Sequence, residues 1–193
     1  LEFDATSSRW RLFGQQTAST NQIVNGLING GMEVWQRGTS VSVNGSSNGY
    51  GPDRWAITTG ANQVCTMSQA SGLSNGSHYG CTVQRTAGQT GTSTLYFEQP
   101  FDLEEIIKWR GQTISISALI ATGATWSPAG GTLTASIYCG TGSAAKRGAG
   151  AYTNETTPLS SALTIAAGTS AATYSATASS IIPVNTTQMS LVF

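Results

Sequence analysis

The carboxylates Glu33, Asp53, Glu98, Asp102 and Glu105 are the side chains of this sequence best suited by type to acid–base chemistry, since glycoside hydrolysis works through a pair of such groups. Their neighbours argue for structural duty instead. Asp102 stands just ahead of an apolar run, where it caps a helix, and Glu104 and Lys108 are spaced as a helix-surface pair. Arg37 and Arg54 flank Glu33 and Asp53, so Arg37, Asp53 and Arg54 are expected to form ion pairs that pin the first loop to the core. His78, the single histidine, falls in the turn Asn75-Gly-Ser-His78, and no nucleophile-elbow motif accompanies it. Cys65, Cys81 and Cys139 lie at no metal-ligand spacing and are expected to be small buried thiols, a Cys65–Cys81 bridge being left open. The residues therefore predict a protein that is not an enzyme.

Recognition of a sugar asks for different groups. A pyranose has an apolar face and a rim of hydroxyls, which an aromatic platform and planar polar side chains match. Tyr138 is the aromatic expected on the outward face of its strand, and Trp126 lies in the loop Gly123-Ala-Thr-Trp-Ser-Pro128. Lys146, Arg147 and the Tyr152-Thr-Asn-Glu155 loop add donors and acceptors, so Trp126, Tyr138, Lys146, Arg147 and Tyr152 are the candidate glycan-binding residues. Trp35, Trp55 and Trp109 are expected in the core.

The elements that must position these groups are β-strands. Charged residues make up 9% of the chain and glycine occupies 23 of its 193 positions, a composition too poor in Lys, Glu and Arg for many surface helices. Alternation is clearest over Gln112 to Ile120, with Ile114, Ile116, Ala118 and Ile120 on one face and mainly hydroxyls on the other. Thr132 to Cys139 repeats it, with Leu133, Ala135, Ile137 and Cys139 inward and Thr134, Ser136 and Tyr138 outward. Further strands are expected at Gly26–Trp35, Trp55–Thr59, Gln63–Ser68, Tyr79–Thr86, Ser93–Gln99, Ala162–Ala166, Ala172–Ala176 and Thr187–Phe193, with one helix from Asp102 to Trp109 stopped by Gly111. The fold class is all-β, an antiparallel sandwich. Two alternating runs around Asp4 to Ser8 predict a leading hairpin, so residues 1–24 form a hairpin and linker and 25–193 the sandwich. Nine basic and nine acidic residues give no electrostatic footprint for nucleic acid, and no apolar run is long enough for a membrane helix, so neither partner is expected.

Asn29-Gly-Gly-Met-Glu-Val-Trp-Gln-Arg-Gly38 and Tyr50-Gly-Pro-Asp-Arg-Trp55 resemble the "N-G-x-[FM]-E-x-x-Q-R-G" and "Y-x-x-D-R-W" motifs that open jelly-roll domains of bacteriophage tail fibres and similar virion appendages. Phe101 to Ala118 and Cys139-Gly-Thr-Gly-Ser143 are similar to the helix-strand and glycine-loop segments that follow in that family. Leu1 to Phe13 resembles the hairpins of fibre shafts, where three chains associate. The resemblance implies a jelly roll within a homotrimer on the virion, contacts with other tail proteins, and attachment to a host-surface glycan. It also implies two features of the site and the ends. Glu33 occupies the first-strand position where carbohydrate-binding jelly rolls hold a structural Ca²⁺, and the family's final strands are missing after Phe193. A purely structural virion part and a polysaccharide-degrading tailspike are the alternatives.

Overall fold

The computed structural model describes residues 2–4, 9–11, 25–71, 78–90, 93–128 and 131–193. The fold is all-β and antiparallel, as its alternating hydrophobic pattern requires. Strands β1 (Glu2–Asp4) and β2 (Arg9–Arg11) pair with each other as the expected hairpin. The intervening turn, and the turn expected at Gly72 to Ser77, lie outside the described residues.

A six-stranded sheet organises the rest. Its strands are β4 (Asn48–Tyr50), β5 (Ala56–Thr59), β8 (Leu95–Phe101), β10 (Thr132–Gly140), β11 (Thr156–Thr164) and β13 (Gln188–Val192), in the order β11-β10-β13-β8-β5-β4. Two smaller sheets cover its inner face: β9 (Ser115–Ile120) with β12 (Ala172–Thr177), and β3 (Ser40–Asn44) with β6 (Val64–Ser71) and β7 (Tyr79–Arg85). Against the first of these, Ile137, Cys139, Leu159, Met189 and Leu191 pack with Ile116 and Ala176. Against the second, Ile57 and Phe97 pack with Val43, Cys65 and Met67. Phe97 belongs to both clusters and stacks on Trp55 at 4.8 Å, which joins them into one core.

Strand β13 runs between β10 and β8 with all five residues buried. Hence, among the described strands, β11 and β4 are the edges of this sheet.

The opening segment also departs from expectation. Gly26 to Trp35 was expected as a strand, but Asn29 and Met32 take left-handed φ of 51° and 58°, and the paired glycines Gly30-Gly31 complete a turn. The segment is held by side chains that imitate a strand partner. Gln99 accepts from the Ile28 amide at 2.9 Å and donates to the Ile28 carbonyl at 2.7 Å. Asn29 donates to the carbonyls of Val34 and Asp53, and Trp55 Nε1 donates to the Asn29 carbonyl. Half of the distinctive opening motif is thereby absorbed by architecture.

Helix α1 (Leu103–Ile107) begins where expected. Glu105 accepts the Asp102 amide at 2.7 Å, reciprocating the cap, and the chain turns out of the helical stretch at Gly111 with φ +74°. The three cysteines are free thiols. Cys65 pairs with Arg85 and Cys81 with Gln69, four positions apart along β6, so strand geometry keeps the two sulfurs from bridging.

Candidate functional site

On the outer face of the six-stranded sheet the pleat presents Tyr138 and Ser190, Tyr96, Glu98 and Pro100, Ala56 and Thr58, and Tyr50. Three tyrosines thus surround one carboxylate. Such a face would normally meet water, yet Glu98 is 0% exposed. The connection between β10 and β11 lies across it and carries a 3₁₀ turn at Arg147–Ala149.

The contacts of that connection converge on Glu98. The Gly148 amide donates to both its oxygens at 3.0 and 3.1 Å, and the Thr58 hydroxyl donates to Oε1. A Cβ on Gly148 would collide with Glu98 and Thr58, so only glycine permits this approach. On one side Arg147 stands 4.7 Å from the Tyr138 ring and 6.0 Å from that of Tyr96, and its Nε is 2.6 Å from Glu155. On the other side Lys146 Nζ lies 5.1 Å from the Tyr50 ring centroid. Tyr152 donates to the Ala145 carbonyl and shares a 2.6 Å hydrogen bond with Ser190. Gln188 receives the Gly142 amide and donates to the Ser143 carbonyl, closing the loop's near end.

Electrostatics follow from burial. Desolvation pushes the Glu98 carboxyl above its ordinary range, outweighing the Gly148 amide, the Lys146 charge, the Thr58 hydroxyl and the Arg147 amide, all of which favour the ionised form. Desolvation also pulls the Lys146 amine down, against the opposing pull of Glu98. Burial likewise raises the Tyr152 hydroxyl.

Four of the residues expected to bind glycan, Tyr138, Lys146, Arg147 and Tyr152, are therefore brought to one face, but each is engaged within the protein: Arg147 with Tyr138, Lys146 with Tyr50 and Tyr152 with Ser190. Tyr152 is 6% exposed, and Tyr138, although on the outer face, is half-buried. The reason is non-local: simple alternation places Tyr138 on the correct face but cannot reveal that a loop covers it. Trp126 lies apart, its indole donating to the Ile165 carbonyl at 2.9 Å.

Beside this clamp a groove of about 420 Å³ remains open, lined by Gln36, Arg37, Tyr50, Asp53, Arg54 and Asp102 among others. Its aromatic wall is Tyr50, 37% exposed, with the Arg37 guanidinium 5.1 Å from the ring centroid. Arg54, at φ +72°, reaches Asp102 at 2.6 Å, Glu105 at 2.7 Å and the Pro100 carbonyl. The expected ion pairing is thereby corrected. Arg54 does pin the β4–β5 turn, but its acids come from the start of α1, and Asp53 instead accepts the Gln36 amide at 3.3 Å. Sequence proximity misled because the β-pairing carries β8 and α1 to Arg54 from almost fifty positions away. Tyr50 was legible as part of its motif, whereas its place at a groove depends on that same long-range pairing.

Glu33 accepts the amides of His78 and Tyr79 at 2.8 and 3.4 Å. Among the described residues no group of three or more His, Cys, Asp or Glu side chains is gathered for a metal. Among them, too, no helix is long and apolar enough to cross a membrane. No family model, curated protein or solved structure matches the chain.

Proposed function

We propose that the protein is a non-enzymatic adhesion module that binds a host-surface glycan in the Tyr50 groove, as part of a trimeric phage tail fibre or similar virion appendage. The observation that carries this reading is the groove itself, where an exposed tyrosine ring stands among the guanidinium, carboxylate and amide side chains of Arg37, Asp53 and Gln36. An aromatic face beside planar bidentate groups is the chemistry a pyranose requires. The setting on a virion rests on the order of the sequence motifs, and the jelly-roll reading of the sandwich rests on the same resemblance. In this reading Tyr50, and not Trp126, is the stacking ring.

Binding of the purified protein to a glycan array tests the proposal. The expected result is retention of at least one glycan, weakened about fivefold by Tyr50→Ala, in line with roughly 1 kcal/mol for a stacked aromatic. Tyr50→Phe should retain binding. Failure to hold any glycan would favour a purely structural virion part, and release of reducing ends from a bound polysaccharide would favour a tailspike enzyme.

A further inference from the structure

A second groove opens on the same sheet face. It measures about 370 Å³ and is lined by Thr58, Thr59, Ser93, Thr94, Tyr96 and Gly148 with Gly60. Every side chain that lines it is a hydroxyl or phenol, so it offers hydrogen bonds without charge. Gly148 and Thr58 belong to the clamp on Glu98, while Lys146, two residues earlier, stands over Tyr50 in the first groove. The tip of the connecting loop therefore lies between the two grooves, which share one face and one set of strands.

The separation follows from the register. Tyr50 lies opposite Ala56, which lies opposite Glu98, and Tyr96 is two residues before Glu98 on β8. Two strand spacings and two residue rises place the two tyrosine backbones about 12 Å apart. One pyranose ring cannot contact both.

We infer that the two grooves are subsites for one extended oligosaccharide, which crosses the loop tip at Lys146–Gly148, and that the module recognises an internal stretch of chain instead of a terminal sugar. This deepens the glycan reading and rests on it. The Tyr50 subsite takes a sugar whose substituents suit arginine and aspartate. The Tyr96 subsite takes a neutral, hydroxyl-rich unit stacked on the phenol ring. Short ligands then occupy the Tyr50 subsite, and longer ones gain the Tyr96 subsite as an intramolecular event.

A glycan array carrying each backbone as a graded series from monosaccharide to hexasaccharide separates the possibilities. The wild-type protein should show a step of about tenfold or more in affinity between disaccharide and tetrasaccharide. Tyr96→Ala should abolish the step while leaving short-ligand binding intact, and Tyr96→Phe should restore it. Thr94→Ala, at the rim and away from Glu98, should reduce the step without changing the melting temperature. Full affinity already at the monosaccharide, unchanged by Tyr96→Ala, would overturn the two-subsite inference and leave the adhesion reading standing. Absence of binding at every length would overturn both.

Discussion

Glu98 is the residue whose chemistry is most altered by its surroundings, and its titration has a definite sign. Burial holds its carboxyl above the unfolded value of about 4.3, so the folded state keeps the proton over a range in which the unfolded chain has lost it. The resulting stability is fully present below that unfolded value and is lost as pH rises through the folded one. Lys146 acts oppositely, its lowered value imposing a cost that is recovered as pH climbs toward the unfolded value of about 10.4. Glu98→Gln keeps a neutral acceptor for the Gly148 amide, so thermal unfolding between about pH 4 and pH 8 should show wild type losing stability relative to the variant. Parallel curves would mean that Glu98 titrates normally. The thiols give a second expectation, because burial pushes Cys65 to about 11 and Cys81 and Cys139 to about 12. At pH 8 the buried Cys65 and Cys139 should resist a thiol-specific reagent until the protein is unfolded, with the half-buried Cys81 labelling ahead of them, and fast labelling of Cys65 or Cys139 would contradict their burial. Asp53→Ala should cost about 1 kcal/mol, the worth of one hydrogen bond to the Gln36 amide, and calorimetry would expose the larger loss that a buried ion pair entails.

At the scale of elements, the strands most legible in the sequence are those whose alternation reflects a single covered face. Ser115–Ile120 and Thr132–Gly140 emerge within a few residues of their expected limits, and α1 starts at its expected cap because the capping signal is local. Ser40–Asn44 and Asn48–Tyr50 were not anticipated, since Gly38 and the Gly45-Ser-Ser-Asn-Gly49 run make that stretch read as loop. The covering loop was harder still, for nothing local announces that Lys146 to Gly148 will settle on β8, and Ser136 is buried where alternation predicted an outward hydroxyl. What specifies the loop is close approach at Gly148. Gly148→Ala forces a methyl into Glu98 and Thr58, and overpacking of this kind typically costs about 1–3 kcal/mol. The variant should lower the unfolding temperature and speed proteolysis between Thr141 and Glu155, and an unchanged cleavage pattern would show that the loop is not held at this point. A second long-range tie is made by Glu105, one of whose oxygens receives both the Asp102 amide and Arg54.

For the whole molecule, the proposed adhesion must be reconciled with a neutral chain and shallow grooves. Nine basic residues balance nine acidic ones, so long-range attraction contributes little, and a stacked tyrosine with a few hydrogen bonds supports only weak affinity at a single site. Firm attachment on the proposed reading must therefore come from several copies acting together. The β1–β2 ribbon makes such assembly chemically reasonable, because it pairs only within itself among the described strands and an isolated two-stranded sheet is marginal in water. Three equivalent ribbons in a trimer would give one another neighbours. Sedimentation of the chain at tens of micromolar should accordingly report three copies, and deletion of residues 1–24 should yield a folded monomer with unchanged single-site glycan affinity. On a densely glycosylated surface the trimer should bind at least a hundredfold more tightly than that monomer, the gain expected when linked sites reach neighbouring ligands. A stable monomer from the intact chain, or equal surface affinity for the two forms, would remove avidity from the explanation and leave the shallow grooves too weak to serve as an anchor.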